Sequence, residues 1–279
     1  MKMQNIIGRT FTMDLDGTSV GIYMTDENKA VFIDTGEGDS RELIKFLRES
    51  NIVPAAIINT HLHIDHIGNH KALCDEYGVK IYTSPIEVRD RCSGCSDFEE
   101  YLVANCEEGK DIIEGVEFTF IPTPGHSTGH QAVVTPDGVC CLGDSIMSMS
   151  KLRKSRVPYL FDSENAMKSM KKLLNTDYPY YLAAHNGPIS GQEIKNTIRA
   201  NIEKEESLRQ IIQNIVKKAV NIDKLEIQVM KAAGVTNPET RSYFWMHDSV
   251  RSRIEELIRT GLLEIKNQTV FPGKKSHGR

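Results

Sequence analysis

His61-Leu62-His63-Ile64-Asp65-His66 stands at the end of the apolar run Ala55-Ala56-Ile57-Ile58-Asn59, one residue beyond it. Three imidazoles and a carboxylate within six residues cannot be core filler, because every ring nitrogen and carboxylate oxygen needs a polar partner. A divalent cation is the economical common partner. Neutral imidazole with carboxylate suits zinc, with iron or manganese as alternatives. In an extended or turning segment His61 and His63 point the same way and can grip one ion. Asp65 and His66 follow as the chain turns into a helix and can face a neighbouring position.

The surrounding chain reads as an α/β protein. Ile6 to Leu15, Ser19 to Thr25 and Ala30 to Asp34 have strand character, with turn signals at Asp16-Gly17 and Asp26-Glu27-Asn28. Asp39 to Ser50 has helical spacing, with Asp39 or Ser40 as N-cap. A single helix is expected from His66 to Tyr77, then a strand at Lys80 to Thr83. Strand patterns return at Ile112-Ile113 and Val116 to Ile121. The loop Pro122 to His130 follows, then a hairpin of Gln131 to Thr135 and Val139 to Leu142 around Pro136-Asp137-Gly138. A polar loop to Tyr159, a helix over Ser163 to Leu174 and a strand over Tyr180 to Ala184 complete this part. Strand after strand ends by carrying a His or Asp into a loop: His61, His126, Asp144, His185. This is how an α/β enzyme gathers ligands at one rim.

With Asp65, His66 and His63, these residues resemble the motif set of the metallo-β-lactamase-fold hydrolases over about residues 5 to 195. The resemblance implies an αββα sandwich with metals in a cleft at one edge. It implies that His61, His63 and His126 hold one metal, that Asp65, His66 and His185 hold a second, and that Asp144 bridges both. The cofactor expectation is two Zn2+, with iron or manganese as alternatives. Redox relatives, the di-iron flavoproteins, carry a carboxylate where His63 stands, so imidazole there favours zinc and hydrolysis. Two dications with the Asp65 and Asp144 carboxylates leave a positive site that acidifies a bridging water to hydroxide, the expected nucleophile. Asp65 is the candidate catalytic residue, orienting that nucleophile, and Asp34 a candidate acceptor for a ligand imidazole N–H. His130 reads as a partly exposed neighbour, His70 as a surface residue one turn beyond His66, and His247 as remote. Tyr159 is a candidate donor to substrate.

From Gly191 a helical pattern runs to about Ala219, followed by a helix at Asp223 to Ala233, a break, a helix at about Ser249 to Thr260, and a hairpin over Glu264 to Phe271. The expected organisation is a catalytic domain over 1–195 and a mostly helical, winged-helix-like C-terminal module over 196–279. A similar tail occurs in the lactamase-like ribonuclease branch, although Asn186 here interrupts the His-Gly-Pro run of that branch. Residues 241 to 279 carry a basic surplus (Arg241, Arg251, Arg253, Arg259, Lys266, Lys274, Lys275 and Arg279 against Asp248, Glu255, Glu256 and Glu264). Such a module binds phosphates, shapes the cleft or contacts a second copy of the chain as a homodimer. Nucleic acid is the less favoured partner, because the net charge of the chain is −4.

At 279 residues, with 39% hydrophobic and 26% charged residues, the chain is an ordinary globular one with room for a domain and an appendage. No apolar run approaches the roughly 20 residues of a membrane span, and Met1-Lys2-Met3-Gln4-Asn5 leads into no signal-like core. No membrane partner and a cytoplasmic location are expected, with the six cysteines reduced. Cys140 and Cys141 read as core fillers. Cys92 and Cys95, with Cys106 nearby, read as ordinary thiols, a redox pair or a structural zinc clip lacking an evident fourth ligand. The leading expectation is a hydrolase of a small ester, thioester or lactone, similar to the glyoxalase II group in its His-x-His-x-Asp-His-x-Gly-Asn run from His61 to Asn69. A phosphodiesterase or ribonuclease is the alternative, and a non-enzymatic metal sensor a third reading.

Overall fold

The computed structural model describes residues 1–90, 95–236 and 242–273. Among them the first sheet joins β1 (Met3–Ile7), β2 (Thr10–Leu15), β3 (Thr18–Met24), β4 (Lys29–Ile33), β5 (Val53–Ile58), β6 (Lys80–Thr83) and β7 (Leu102–Ala104) in chain order, antiparallel up to β4 and parallel thereafter. The second joins β8 (Gly109–Ile113), β9 (Val116–Pro122), β10 (Gln131–Val134), β11 (Val139–Gly143), β12 (Tyr180–Ala183) and β13 (Gly187–Ser190), with one parallel pair, β11 and β12. Helices α1 (Ser40–Glu49), α2 (Ile64–Ile67), α3 (His70–Tyr77) and α4 (Pro85–Arg89) belong to the first half. Helices α5 (Met149–Lys154), α6 (Ser163–Leu174) and α7 (Gly191–Ile215) belong to the second.

The layering follows from side-chain alternation. In β4, Ala30 and Phe32 point to the helix side with Leu43, Leu47 and Leu73, whereas Val31 and Ile33 point to the other sheet. In β11, Cys140 and Leu142 meet α6 and α7 through Leu173 and Ile194, and Val139 and Cys141 join the inter-sheet core of Phe118, Phe120 and Leu182. Strands covered on both faces must be apolar at every position, which explains their unbroken hydrophobic runs. The result is the expected αββα sandwich, and the tandem cysteines are core residues.

Two helical expectations are corrected. The helix expected over His66 to Tyr77 is two helices, α2 and α3, broken at Gly68 and Asn69. A Cβ on Gly68 would lie 2.8 Å from the Gly36 carbonyl oxygen, and the Asn69 amide donates to the carbonyls of Thr35 and Glu37. This ties the chain to the loop after β4. The polar loop before Tyr159 also contains a short helix, α5, capped by Ser148.

The C-terminal unit comprises β14 (Val220–Asn221), α8 (Ile222–Ala232), α9 (Ser242–Arg259) and the hairpin of β15 (Leu263–Lys266) and β16 (Thr269–Pro272), with strand order β14-β16-β15. Helix α9 begins earlier than its pattern suggests, because exposed Phe244 and Trp245 in its first turns break the apolar periodicity. Helix α7, at 25 residues, spans about 37 Å. It gives Ile194 and Ile198 to the catalytic half and Leu208 and Ile212 to the C-terminal core.

Buried polar contacts weld α9 to the segment between α5 and α6. Arg253, fully buried, donates to both carboxylate oxygens of Glu205 on α7 (2.8 and 2.6 Å), to the Pro158 carbonyl (3.1 Å) and to the Ser249 carbonyl. Ser249 Oγ accepts from the Leu160 N–H, and Ser252 Oγ from the Ser163 N–H. Removing one member of such a pair strands the other charge in a dry interior. Arg253→Ala is expected to lower unfolding stability by about 3–5 kcal/mol, whereas the double variant Arg253→Met with Glu205→Leu loses much less. Denaturant titration of the three proteins checks this; equal losses in both variants contradict it.

Candidate metal centre

Each potential ligand reaches one rim of the sandwich for a local reason. After β4, Asp34 adopts a positive φ of 62°, uncommon for a residue with a side chain, and turns its carboxylate under the loop that follows β5. There it accepts from the Asn59 amide, the Thr60 N–H and the Thr60 hydroxyl, each at 2.8 Å, and pairs with His66 Nδ1 at 2.8 Å. The Thr60 hydroxyl also meets His61 Nδ1 at 3.1 Å. Asp34 is therefore the imidazole partner anticipated from the sequence. His185, after β12, has its Nδ1 held by the Gly17 carbonyl at 2.9 Å. With Nδ1 engaged in each of these three rings, Nε2 is left for the centre.

Gly143 ends β11 at a positive φ of 50°, and a Cβ there would lie 2.6 Å from Thr60 Oγ1 and 2.7 Å from His130 Nε2. Only glycine lets the strand pass that close and deliver Asp144. His130 is fully buried, not partly exposed: Nε2 accepts from the Asp144 N–H at 3.1 Å and Nδ1 meets Thr123 Oγ1 at 2.8 Å. It fixes the backbone of Asp144. His70 is likewise buried, bound to Thr35 Oγ1 at 2.8 Å, because the break before α3 turns that helix's first residue inward. His247 lies on α9, paired with Glu226.

All seven candidate residues converge. Ligand atoms of His61, His63 and His126 form one group within 4.8 Å, and those of Asp65, His66, Asp144 and His185 form another. Asp144 faces both: Oδ2 lies 3.5 Å from His126 Nε2, while Oδ1 lies 3.7 Å from His66 Nε2 and 3.4 Å from His185 Nε2. Asp65 Oδ2 is 3.4 Å from His185 Nε2. Nε2 of His61 and of His66 is buried without a hydrogen-bond partner. For the neutral His61 ring this leaves a buried lone pair that nothing in the protein satisfies, which is unfavourable unless something electron-poor sits beside it. Five imidazoles and two carboxylates are a donor set that fits zinc.

The protonation pattern has the same origin. Burial, with the neighbouring histidines adding to it, pushes His61 well below the ordinary imidazole value, and His126 down to about 4. Burial opposes the charge on Asp144 and Asp65, yet bonds from His185 hold both carboxyls below their usual range. Bonds to Asp144 and Asp65 push His185 up to about 10. Burial disfavours the His66 cation, but Asp34 and Asp144 outweigh it and raise that ring well above its usual value.

The sequence reading missed Glu87, on α4, a buried carboxylate that accepts from the Leu62 N–H (3.3 Å), the Ser127 hydroxyl (2.5 Å) and the Gly129 N–H (3.2 Å). It clamps the loop of His61 and His63 to the loop of His126. Ser84-Pro85-Ile86-Glu87 reads as a helix start, which hides the carboxylate's other task. Tyr159 is at the site, its ring centroid 5.8 Å from that of His63 and 5.1 Å from that of His126. Cys92 lies outside the described residues. Cys95 packs on the helix side of the first sheet and Cys106 against the inter-sheet core.

A family model described as the metallo-beta-lactamase superfamily matches residues 14–185. A hydroxyacylglutathione hydrolase of Buchnera aphidicola subsp. Baizongia pistaciae is 31% identical over 175 residues, which cover 61% of this chain and 64% of that relative. The chain thus spans less than two thirds of that relative's length. A metallo-beta-lactamase family protein from Thermus thermophilus superposes with a TM-score of 0.69 at 14% identity, covering 91% of this chain and 93% of its own. A beta-lactamase domain protein from Burkholderia ambifaria gives 0.69 at 14%, covering 96% and 94%. Both likenesses of fold extend into the C-terminal unit.

Asp34→Asn keeps the positive-φ turn, which asparagine tolerates, but turns an amide donor toward groups that donate. It is expected to weaken zinc affinity about 10- to 100-fold, measured by competition with a chromophoric chelator; unchanged affinity contradicts the role given to Asp34. In metal-free protein at pH 7, the raised values keep protons on His66 and His185. Added Zn2+ is expected to release them, visible as acidification in weakly buffered solution, and uptake without acidification contradicts this.

Proposed function

The chain belongs to the metallo-beta-lactamase superfamily, and from that premise we propose that it is a dinuclear zinc hydrolase of small thioesters, esters or lactones. The observation that carries this reading is the meeting of two donor groups at the two oxygens of Asp144, together with the buried Nε2 atoms of His61 and His66 that make no hydrogen bond. His61, His63 and His126 would hold one ion, and Asp65, His66 and His185 the other, with Asp144 shared. When bound, such a pair supplies Lewis acidity and lowers the pKa of water so that hydroxide is available near neutral pH.

The remaining work falls to the chain's own side chains. Asp65 is ionised at neutral pH and lines the cavity, so its carboxylate can accept a hydrogen bond from the attacking water and orient it. Burial raises the Tyr159 phenol above its usual value, leaving it a donor for a substrate oxygen. Asp34, Glu87 and His130 hold the ligand loops in register, so the geometry precedes the substrate and little reorganisation accompanies the reaction.

Thioester chemistry is favoured by the relative named hydroxyacylglutathione hydrolase and by the state of the basic residues of α9. Arg251 pairs with Asp223 and Glu226, Arg253 with Glu205, and Arg259 with Asp162 and Glu164. Cations already paired offer little to a phosphate backbone. We take the C-terminal unit to be winged-helix-like, shaping the cleft. No helix among the described residues is long and apolar enough to cross a membrane; a cytoplasmic setting and a small-molecule substrate are part of the proposal.

Zinc-loaded protein is expected to hydrolyse an acyl thioester or a lactone, to lose that activity after chelator treatment and to regain it with Zn2+. Cleavage of a short RNA with no thioester or lactone turnover would instead establish the phosphodiesterase alternative.

A further inference from the structure

Above the metal centre lies a cavity of about 230 Å³, whose floor includes His63, Asp65, Asp144 and His185. Ile146, Tyr159, Leu160, Met170 and Trp245 give the same cavity an apolar part of its lining. Ser145, Ser148 and Lys151 also line the cavity, with Ser145 Oγ bonded to the Leu142 carbonyl and Ser148 capping α5, and two further polar lining residues are engaged elsewhere. Glu205 is neutralised by Arg253, and the Asn201 side chain is bonded to both the N–H and the carbonyl of Met147. The apolar part of the lining forms a wall beside the reacting centre, suited to a chain that carries no hydrogen-bonding groups.

Two unrelated parts of the chain build it. Tyr159 lies on the segment fixed by α9, through Arg253 to the Pro158 carbonyl and through Ser249 to the Leu160 N–H. Trp245, on the first turns of the same helix, packs against Tyr159 with ring centroids 5.5 Å apart and the planes tilted by 54°. Trp245 is one of the cavity's lining residues, and about half of its surface is open (54%). A large indole left half-exposed beside a cavity is surface that a ligand can cover.

We infer that the C-terminal unit sets specificity, and that the substrate carries an extended apolar acyl chain lying along Tyr159 and Trp245. This rests on the hydrolase reading for the reacting bond, but the wall itself does not. The acyl carbonyl sits at the floor and its methylenes run outward across the indole. Each methylene fully removed from water strengthens binding about fourfold, so a partly open wall yields a smaller gain per carbon.

Trp245 is the only tryptophan of the chain, so its emission reports the wall directly. Hexanoate titrated into metal-free and zinc-loaded protein is expected to produce a saturable change in emission, and acetate at equal ionic strength none. In parallel, N-acetylcysteamine thioesters from acetyl to hexanoyl are expected to show kcat/KM rising about tenfold or more. That hexanoyl-to-acetyl ratio should collapse in Trp245→Ala and largely persist in Trp245→Phe, with circular dichroism confirming that both variants fold. A flat emission response to hexanoate overturns the proposal whatever the kinetics. An emission change with a flat chain-length profile overturns the acyl assignment. An emission change with no thioester turnover supports the wall, and it is then the hydrolase reading that fails.

Discussion

Everything at the active rim depends on one buried carboxylate. Asp34 accepts from Asn59 and twice from Thr60 while pairing with His66, which uses all of its lone pairs inside the protein. A carboxylate so satisfied tolerates burial, and it fixes in one stroke the end of β4, the loop after β5 and the ring of His66. Without it, the Asn59 side-chain amide, the Thr60 N–H and hydroxyl and the His66 ring would have to find water at the place from which the sandwich excludes it.

The donors around it are costly to bury. His61, His63 and His126 crowd within 4.8 Å, with His63 Nδ1 and His126 Nε2 in hydrogen-bond contact at 2.9 Å, and burial keeps His61 and His126 neutral while His61 Nε2 has no hydrogen-bond partner. On the other side, Asp65 and Asp144 share the proton-bearing His185. The fold holds this unfavourable arrangement through groups that touch neither substrate nor ion. Glu87 ties two ligand loops together, His130 anchors the Asp144 backbone, and Gly143 lets a strand pass where a side chain would collide. A site that is costly without its ligand is preorganised for that ligand, because sheet edges and buried hydrogen bonds supply the energy to hold it.

The C-terminal unit enters the same logic from outside. Its helix α9 commits Arg253 to a buried ion pair with Glu205, and Ser249 and Ser252 to backbone N–H groups. Those contacts immobilise the segment that carries Tyr159. A helix used in this way becomes part of the cleft, and its basic residues become structural.

The sequence by itself marked out the apolar strands and the seven His and Asp residues that meet at one rim, and through its family resemblance it implied the sandwich. Apolar strands covered on both faces have a readable pattern, and clustered histidines beside strand ends have no other economical explanation. Residues 61 to 66 show this most plainly, since their chemistry is local. Burial of His70 and His130, the clamp made by Glu87 and the placement of Trp245 over the metal cleft were decided only by the tertiary structure. Each depends on a contact between residues distant in the chain: Thr35 with His70, Gly129 with Glu87, Tyr159 with Trp245. Side-chain period records which face of an element is apolar; it carries no record of which distant polar group that face will meet.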